Sequence, residues 1–472
     1  MALALYALVV VQWPRLSVRV LVLVLGARLV VWGARGLWRW WRARRRGAAA
    51  GARSGLAGAV TSLAVAAVLV VLSAVLLRGD APLVPDDFYA TPATLPAEPG
   101  RLLRFEQVDA LEGPAAAEAS TTWRILYTTT ALDPSSRDAT HIGAASGVVL
   151  LPQPEPGAHV PVLAYAHGTS GVAPGCAPSL TDAPLADGPQ DAALTMLGDG
   201  WAVVSTDYAG LGTAGRHAYL VGEPAAWNVL DAVRAAHELV GELASDAVAG
   251  VPADVALAGT TAVWGHSQGG HAALWTGALA PAYAPELDVV GVAALAPAAD
   301  LVALADGIKD TAVGRVVSAY IGVSWRETFP GIDVSGAFAP GTETWADAIA
   351  QRCFHGFDAL SIVLRSTQVT TPVFRAEALD GPLGDELRAN VPAGHVDAPL
   401  LVAQGLDDSL VLADSQRAWV AARCADGQAL DFREYAGLDH MPLVAADSPA
   451  TADLVAWTQA RLAGTPPTPT CG

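Results

Sequence analysis

The run Gly265-His266-Ser267-Gln268-Gly269 sets a serine between glycines, with an apolar stretch before it and a helical pattern, Gly270–Leu279, after it. A serine hydroxyl is a weak nucleophile until a base takes its proton. Glycines on either side let the chain turn sharply from strand to helix without a Cβ collision, and the serine is left exposed at the tip. The N–H of the next residue, Gln268, then lies at a helix N-terminus and can bind a developing oxyanion. The chemistry implied is acyl transfer through a serine. A chance Gly/Ser turn is the bland alternative, and the strand-turn-helix context argues against it.

Such a serine needs a base, and the base needs an acid to orient it; in this kind of turn the chain order is serine, acid, histidine. Three histidines lie well beyond Ser267: His355, His395 and His440. His440, in Gly437-Leu438-Asp439-His440-Met441, follows the β-rich run Leu430–Tyr435. It therefore falls in a loop past the C-terminal end of a strand, where open α/β sheets meet ligands. His355 and His395 read as surface residues. The run Leu400–Gln404 leads into Gly405-Leu406-Asp407-Asp408-Ser409-Leu410-Val411. Asp408 fits G-x-x-D-x-x-V and is the favoured acid, with Asp407 a solvated or turn-capping neighbour.

A second oxyanion donor belongs in the loop after an early strand. Pro161–Ala166 is followed by His167-Gly168-Thr169-Ser170-Gly171, and the N–H of Thr169 is the first choice, Gly168 the second. His167 reads as a residue that shapes this loop. Asp207-Tyr208 reads as a stabiliser of the loop bordering the site, and His266 and His271 as packed residues. No H-E-x-x-H, no G-x-x-x-x-G-K and no helix-opening G-x-G-x-x-G occurs, so no metal or cofactor is implied.

These residues need a scaffold. Short β-rich runs at Trp123–Thr130, Gly147–Leu151, Pro161–Ala166, Trp201–Thr206, Val263–His266, Val289–Leu295, Leu400–Gln404 and Leu430–Tyr435 alternate with helical patterns at Ala225–Leu243, Gly270–Leu279, Asp414–Cys424 and Ala450–Leu462. Several strands are continuous apolar runs, as expected when both faces are buried. Alternation of this kind predicts an α/β fold with a mostly parallel central sheet. The mixed interval 301–396 is too long for a loop and reads as a cap or lid insertion.

The chain has 472 residues, 52% hydrophobic and 16% charged, which excludes a disordered protein. Its charge is divided. Ten arginines and no acids lie in residues 1–77; the remaining 18 cations face 46 acids, so the rest carries −28. A body this acidic would repel phosphates, which argues against nucleic acid as a partner. Residues 56–77 are 22 uncharged residues, enough to span a bilayer, and WRWWRARRRG at 38–47 would form a cytoplasmic collar. An apolar stretch at 2–33, interrupted by arginines, is an earlier span or an interfacial helix. The predicted organisation is a membrane-anchoring region at 1–79, a Pro-rich linker and N-terminal extension at 80–119, and a catalytic domain at 120–472 lying outside the cytoplasm, whether anchored or secreted after cleavage. Cys176, Cys353, Cys424 and Cys471 all follow the span and none forms Cys-x-x-Cys, so disulfides fit better than zinc. Spacing alone leaves three pairings open.

With AYAHGTSG, GWAVVSTDYAGLGT, VWGHSQGGHAALW, LAPAADL, QGLDDSLV and GLDHMPLV in place, the chain resembles the secretory lipase family of α/β-hydrolases, the group that includes fungal lipase A. The resemblance implies an α/β-hydrolase fold with a helical lid, hydrolysis of carboxylic esters, and Ser267, Asp408 and His440 as nucleophile, acid and base. It also implies the disulfides Cys176–Cys353 and Cys424–Cys471. An HGT oxyanion loop and N-terminal apolar segments set this chain apart from the fungal members. Two other readings stay open on sequence: acyl transfer to an alcohol acceptor of the cell envelope, and a non-catalytic surface binding protein.

Overall fold

The structure, a computed structural model, describes residues 14–45, 60–61, 64–65, 83–108, 121–133, 140–153, 155–245, 254–354, 362, 366 and 369–471. Contacts divide the chain into two units, 1–81 with 356–361, and 82–355 with 362–472.

In the larger unit, nine strands form one sheet: β1 Leu102–Val108, β2 Thr121–Leu132, β3 Thr140–Leu151, β4 His159–Ala166, β5 Ala202–Thr206, β6 Ala256–His266, β7 Asp288–Leu295, β8 Leu400–Gly405 and β9 Asp431–Tyr435. Their order is β1-β2-β3-β5-β4-β6-β7-β8-β9. The first three pairings are antiparallel. All five from β5 to β9 are parallel. The C-terminal ends of β4, β6, β8 and β9 therefore lie along one edge of the sheet. Register lines them up, with Ala166 beside Gly265, His266 beside Leu295, Leu295 beside Ala403 and Gly405 beside Tyr435.

Side chains alternate across each strand. On β4, Leu163 and Tyr165 enter one apolar core while Val162, Ala164 and Ala166 enter another. Helices cover both faces. In chain order the named helices among the described residues are α1 Pro14–Arg45, in the smaller unit, and in the larger unit α2 Gln190–Gly198, α3 Gly222–Ser245, α4 Gln268–Tyr283, α5 Leu301–Gly307, α6 Ala312–Thr328, α7 Val334–Ala337, α8 Glu343–Ala350, α9 Pro382–Ala389, α10 Ala413–Ala425 and α11 Pro449–Leu462. The fold is that of an α/β-hydrolase, and the interval from α5 to α9 is the helical insertion expected there. Within it α6 is buried continuously from Gly314 to Trp325, polar Arg315, Ser318 and Ser324 included, and keeps no exposed face there. Tyr320, Trp325 and Phe338 of this insertion join the same core as Leu163 and Tyr165.

Two expectations need correction. The Pro-rich stretch is not a plain linker: Phe88 and Tyr89 are buried, and Leu102–Val108 adds an edge strand to the sheet. Prolines favour extended backbone, which suits an edge strand's approach as well as a spacer. The N-terminal reading also changes. The stretch at 2–33 is described only from Pro14, where it belongs to one helix running on through the arginine collar to Arg45. Arg42 stacks on Trp38 and Arg45 on Trp41, one turn apart. Among the described residues no helix is long and apolar enough to cross a membrane. The span expected at 56–77 lies outside the described residues, apart from the helical positions 60, 61, 64 and 65.

Candidate active site

Ser267 ends β6 and precedes α4 with φ 58° and ψ −119°, a conformation that L-residues avoid. Its backbone is over-determined: the N–H donates to Leu295 O at 2.9 Å, and the carbonyl accepts from His271 N and Ala298 N. The neighbouring glycines are required by packing. A Cβ on Gly265 would collide with the Gly269 carbonyl, and one on Gly269 with the Ala166 carbonyl. Helix α4 thus starts almost in contact with strands β4 and β6, which turns the serine outward.

Asp408 and His440 come from loops after β8 and β9. His440 Nδ1 and Asp408 Oδ2 are 2.8 Å apart, with the carboxylate side chain fully buried and the imidazole 10% exposed. The other oxygen, Oδ1, accepts from the N–H groups of Leu410 and Val411, each at 2.8 Å. Gln404 Nε2 donates to Oδ2 at 3.3 Å. Asp407 is exposed, and its N–H donates to Leu438 O. The structure therefore separates the two aspartates: only Asp408 reaches the histidine.

The base loop is clamped from two further sides. Asp439 Oδ1 accepts from His440 N at 2.8 Å, Ser409 N at 2.9 Å and Ser409 Oγ at 3.1 Å, joining the base loop to the acid loop. Burial works against ionisation of Asp439, but these hydrogen bonds outweigh it and lower its pKa. On the other side lies His266, whose ring centroid is 4.4 Å from that of His440 and whose Nε2 bonds the His440 carbonyl at 3.2 Å. Burial holds the His266 pKa well below the usual range, helped by His440, so the packed ring stays neutral. Ser267 follows His266 directly. Its hydroxyl makes no hydrogen bond to His440 among the described residues; such bonds are often long before substrate binds.

The oxyanion loop follows β4. Gly168 N, the second-choice donor, donates to Asp187 O at 2.7 Å and is engaged within the fold. The N–H groups of Thr169 and Gln268 have no such partner among the described residues; Gln268 is the first residue of its helix. His167 is buried, with Nδ1 at 2.6 Å from Gly168 O and Nε2 at 3.2 Å from Asp207 O. Burial lowers its pKa to about 4. Asp207 accepts from Ser146 Oγ at 2.6 Å and from Ser179 through both N–H and Oγ. Burial raises its pKa to about 6 against the pull of those bonds. Loop-shaping roles fit both residues.

The disulfides are Cys176–Cys353 and Cys424–Cys471. The first ties the segment after the oxyanion loop to the insertion, where Phe354 N also donates to Ser170 O. Of the two remaining distal histidines, His395 is exposed beside Asp397 and His355 lies outside the described residues. Among the described residues no cluster of His, Cys, Asp and Glu could hold a metal ion. Sequence reasoning missed Asp439, Ser409, His217 and Tyr219; the first two adjoin His440 and Asp408 in sequence, whereas the last two carry no motif.

This sheet, with a strained serine after one strand and an acid–histidine pair after two later ones, defines the class: an α/β-hydrolase. The chain belongs to the secretory lipase family, whose profile, described as Secretory lipase, matches residues 192–470. It is similar to Lipase A of Arthroderma benhamiae, 26% identical over 275 residues, 57% of this chain and 54% of that protein, so it spans about half the length of that relative. A Mycobacterium tuberculosis protein described as a probable inactive lipase is 26% identical over 406 residues, 81% of this chain and 82% of its own. The fold is similar to that of Candida antarctica lipase A, with a TM-score of 0.66 at 19% identity over 83% of this chain and 89% of that one.

Proposed function

We propose that this protein is a serine carboxylic-ester hydrolase. The observation that carries the reading is the 2.8 Å pairing of Asp408 with His440, from separate loops, against the strained turn that holds Ser267. In this mechanism Ser267 Oγ attacks the ester carbonyl as His440 Nε2 takes its proton. Asp408 holds Nδ1–H, which selects the tautomer and stabilises the imidazolium. The N–H groups of Thr169 and Gln268 bind the tetrahedral oxyanion, each worth ~3 kcal/mol in the transition state. His440 returns the proton to the departing alcohol. Water, deprotonated by His440, then releases the acid. Two disulfides support a place of action outside the cytoplasm.

The test is labelling by a fluorophosphonate together with turnover of p-nitrophenyl esters. The wild-type chain should show both and Ser267→Ala neither. Turnover retained by Ser267→Ala, or a wild-type chain inert to both reagents, would overturn the reading.

A further inference from the structure

The two proposed oxyanion donors sit on different elements, Thr169 in an irregular loop and Gln268 at the start of α4. Useful donors must be held within about half an ångström of the productive geometry. A single short segment grips the side chains of both. Tyr219 Oη lies 2.9 Å from Thr169 Oγ1, and Gln268 Nε2 lies 2.7 Å from His217 Nε2. All four side chains but that of Thr169 are buried. Turning the Gln268 amide over would keep the second bond, with Oε1 accepting from the ring N–H instead.

The segment has no strand or helix of its own. Its backbone turns back on itself, Tyr219 N to His217 O, and Leu220 follows with φ 56°. What fixes it is α6 of the insertion. Ser324 Oγ accepts from Tyr219 N at 3.0 Å and donates to His217 O at 2.7 Å. Trp325 Nε1 donates to Tyr219 O at 2.7 Å. From the other side the His217 ring stacks on Tyr208, with centroids 5.2 Å apart. Two adjacent residues of one helix thus hold three backbone atoms of the segment: Tyr219 N, His217 O and Tyr219 O.

From this geometry we infer that His217 and Tyr219 are positioning residues for the oxyanion hole, and that through Ser324 and Trp325 they couple its alignment to the docking of the cap helix. The inference rests on the esterase reading and extends it. A cap that merely covered the site would govern substrate access. A cap wired to both donors also governs stabilisation of the transition state, so disturbing the link lowers kcat rather than raising KM.

Tyr219→Phe removes one hydroxyl and keeps the ring. It should lower kcat for p-nitrophenyl esters about tenfold, a fraction of the loss of a whole oxyanion donor, with KM within twofold. A trifluoromethyl ketone, which Ser267 converts to an anionic tetrahedral adduct, should bind the variant weaker by the same factor. Ser324→Ala should act in the same direction. Thr169→Val breaks the tie from its accessible end, and adding Tyr219→Phe to it should cost nothing further, because the two changes remove one interaction. A purely structural role predicts a lower Tm with unchanged kcat and inhibitor affinity. That result, or independent losses in the double variant, overturns the inference. A wild-type chain that hydrolyses no ester sinks the esterase reading itself.

Discussion

At residue scale, the site depends on small differences between neighbours. Gly168 and Thr169 are adjacent, yet one N–H is committed to Asp187 and the other has no partner among the described residues. Asp407 and Asp408 are adjacent, yet one is exposed and the other is buried against His440 with three further donors on its carboxylate. The pattern around Asp408 made it legible in the sequence; the commitment of Gly168 was not, because Asp187 is 19 positions away and carries no motif. Asp408→Asn should lower kcat by ~10³–10⁴-fold, since an amide favours the wrong imidazole tautomer. Asp407→Asn should leave kcat within about twofold. Steady-state kinetics on the two purified variants checks this, and comparable losses in both would contradict the assignment.

At the scale of elements, the eight strands expected from β-rich runs are all present; those buried on both faces, such as β5 and β8, announce themselves by composition, while β9 is partly exposed. The ninth, β1, is half-exposed and antiparallel at the sheet edge, so it leaves only a mixed pattern, LLRFEQV. The insertion is held to the oxyanion side by Cys176–Cys353 and by the Phe354–Ser170 hydrogen bond. A disulfide closing so long a loop contributes roughly 2–4 kcal/mol, mostly by restricting the unfolded chain. Reduction under native conditions should lower Tm by several degrees, and Cys176→Ala with Cys353→Ala should lose activity as well as stability, because the oxyanion loop is freed. Differential scanning calorimetry with and without reductant, beside activity of the double variant, decides it. Full activity in the double variant would show that the bond serves stability alone.

At the scale of the whole molecule, burial has trapped neutral histidines around the site. It lowers His167 and His271 to about 4 and His217 to about 3, and His266 well below its usual value. In the unfolded chain each titrates near 6.5, so below that pH the unfolded state binds protons that the folded state refuses. Stability from these groups is therefore complete above about 6.5 and falls as pH drops toward 4. Asp187, raised to about 7 by burial, and Asp207, raised to about 6, act oppositely in part of that window, favouring the folded state at low pH. Burial also lowers His237 and raises Asp231; five lowered histidines outweigh three raised aspartates, so Tm should decrease between pH 7 and pH 5. A Tm that is flat or rises over that interval would contradict the burial of these rings. His167, His266 and His271 adjoin motifs that marked them as packed or loop-shaping, whereas nothing in the sequence context of His217 separates it from a surface histidine.

The amino-acid sequence by itself pointed to a candidate serine, acid and histidine and their chain order, because a tight strand-to-helix turn and buried strands each restrict composition locally. It also determined the division between an arginine-rich, acid-free head and a strongly acidic body. Tertiary structure alone decided that the Gly168 N–H is taken by Asp187, and that His217 and Tyr219, which carry no motif, bond the side chains of Gln268 and Thr169. Those choices turn on contacts between segments tens to hundreds of residues apart, and a hydrogen bond across such a distance leaves no periodicity in the chain that makes it.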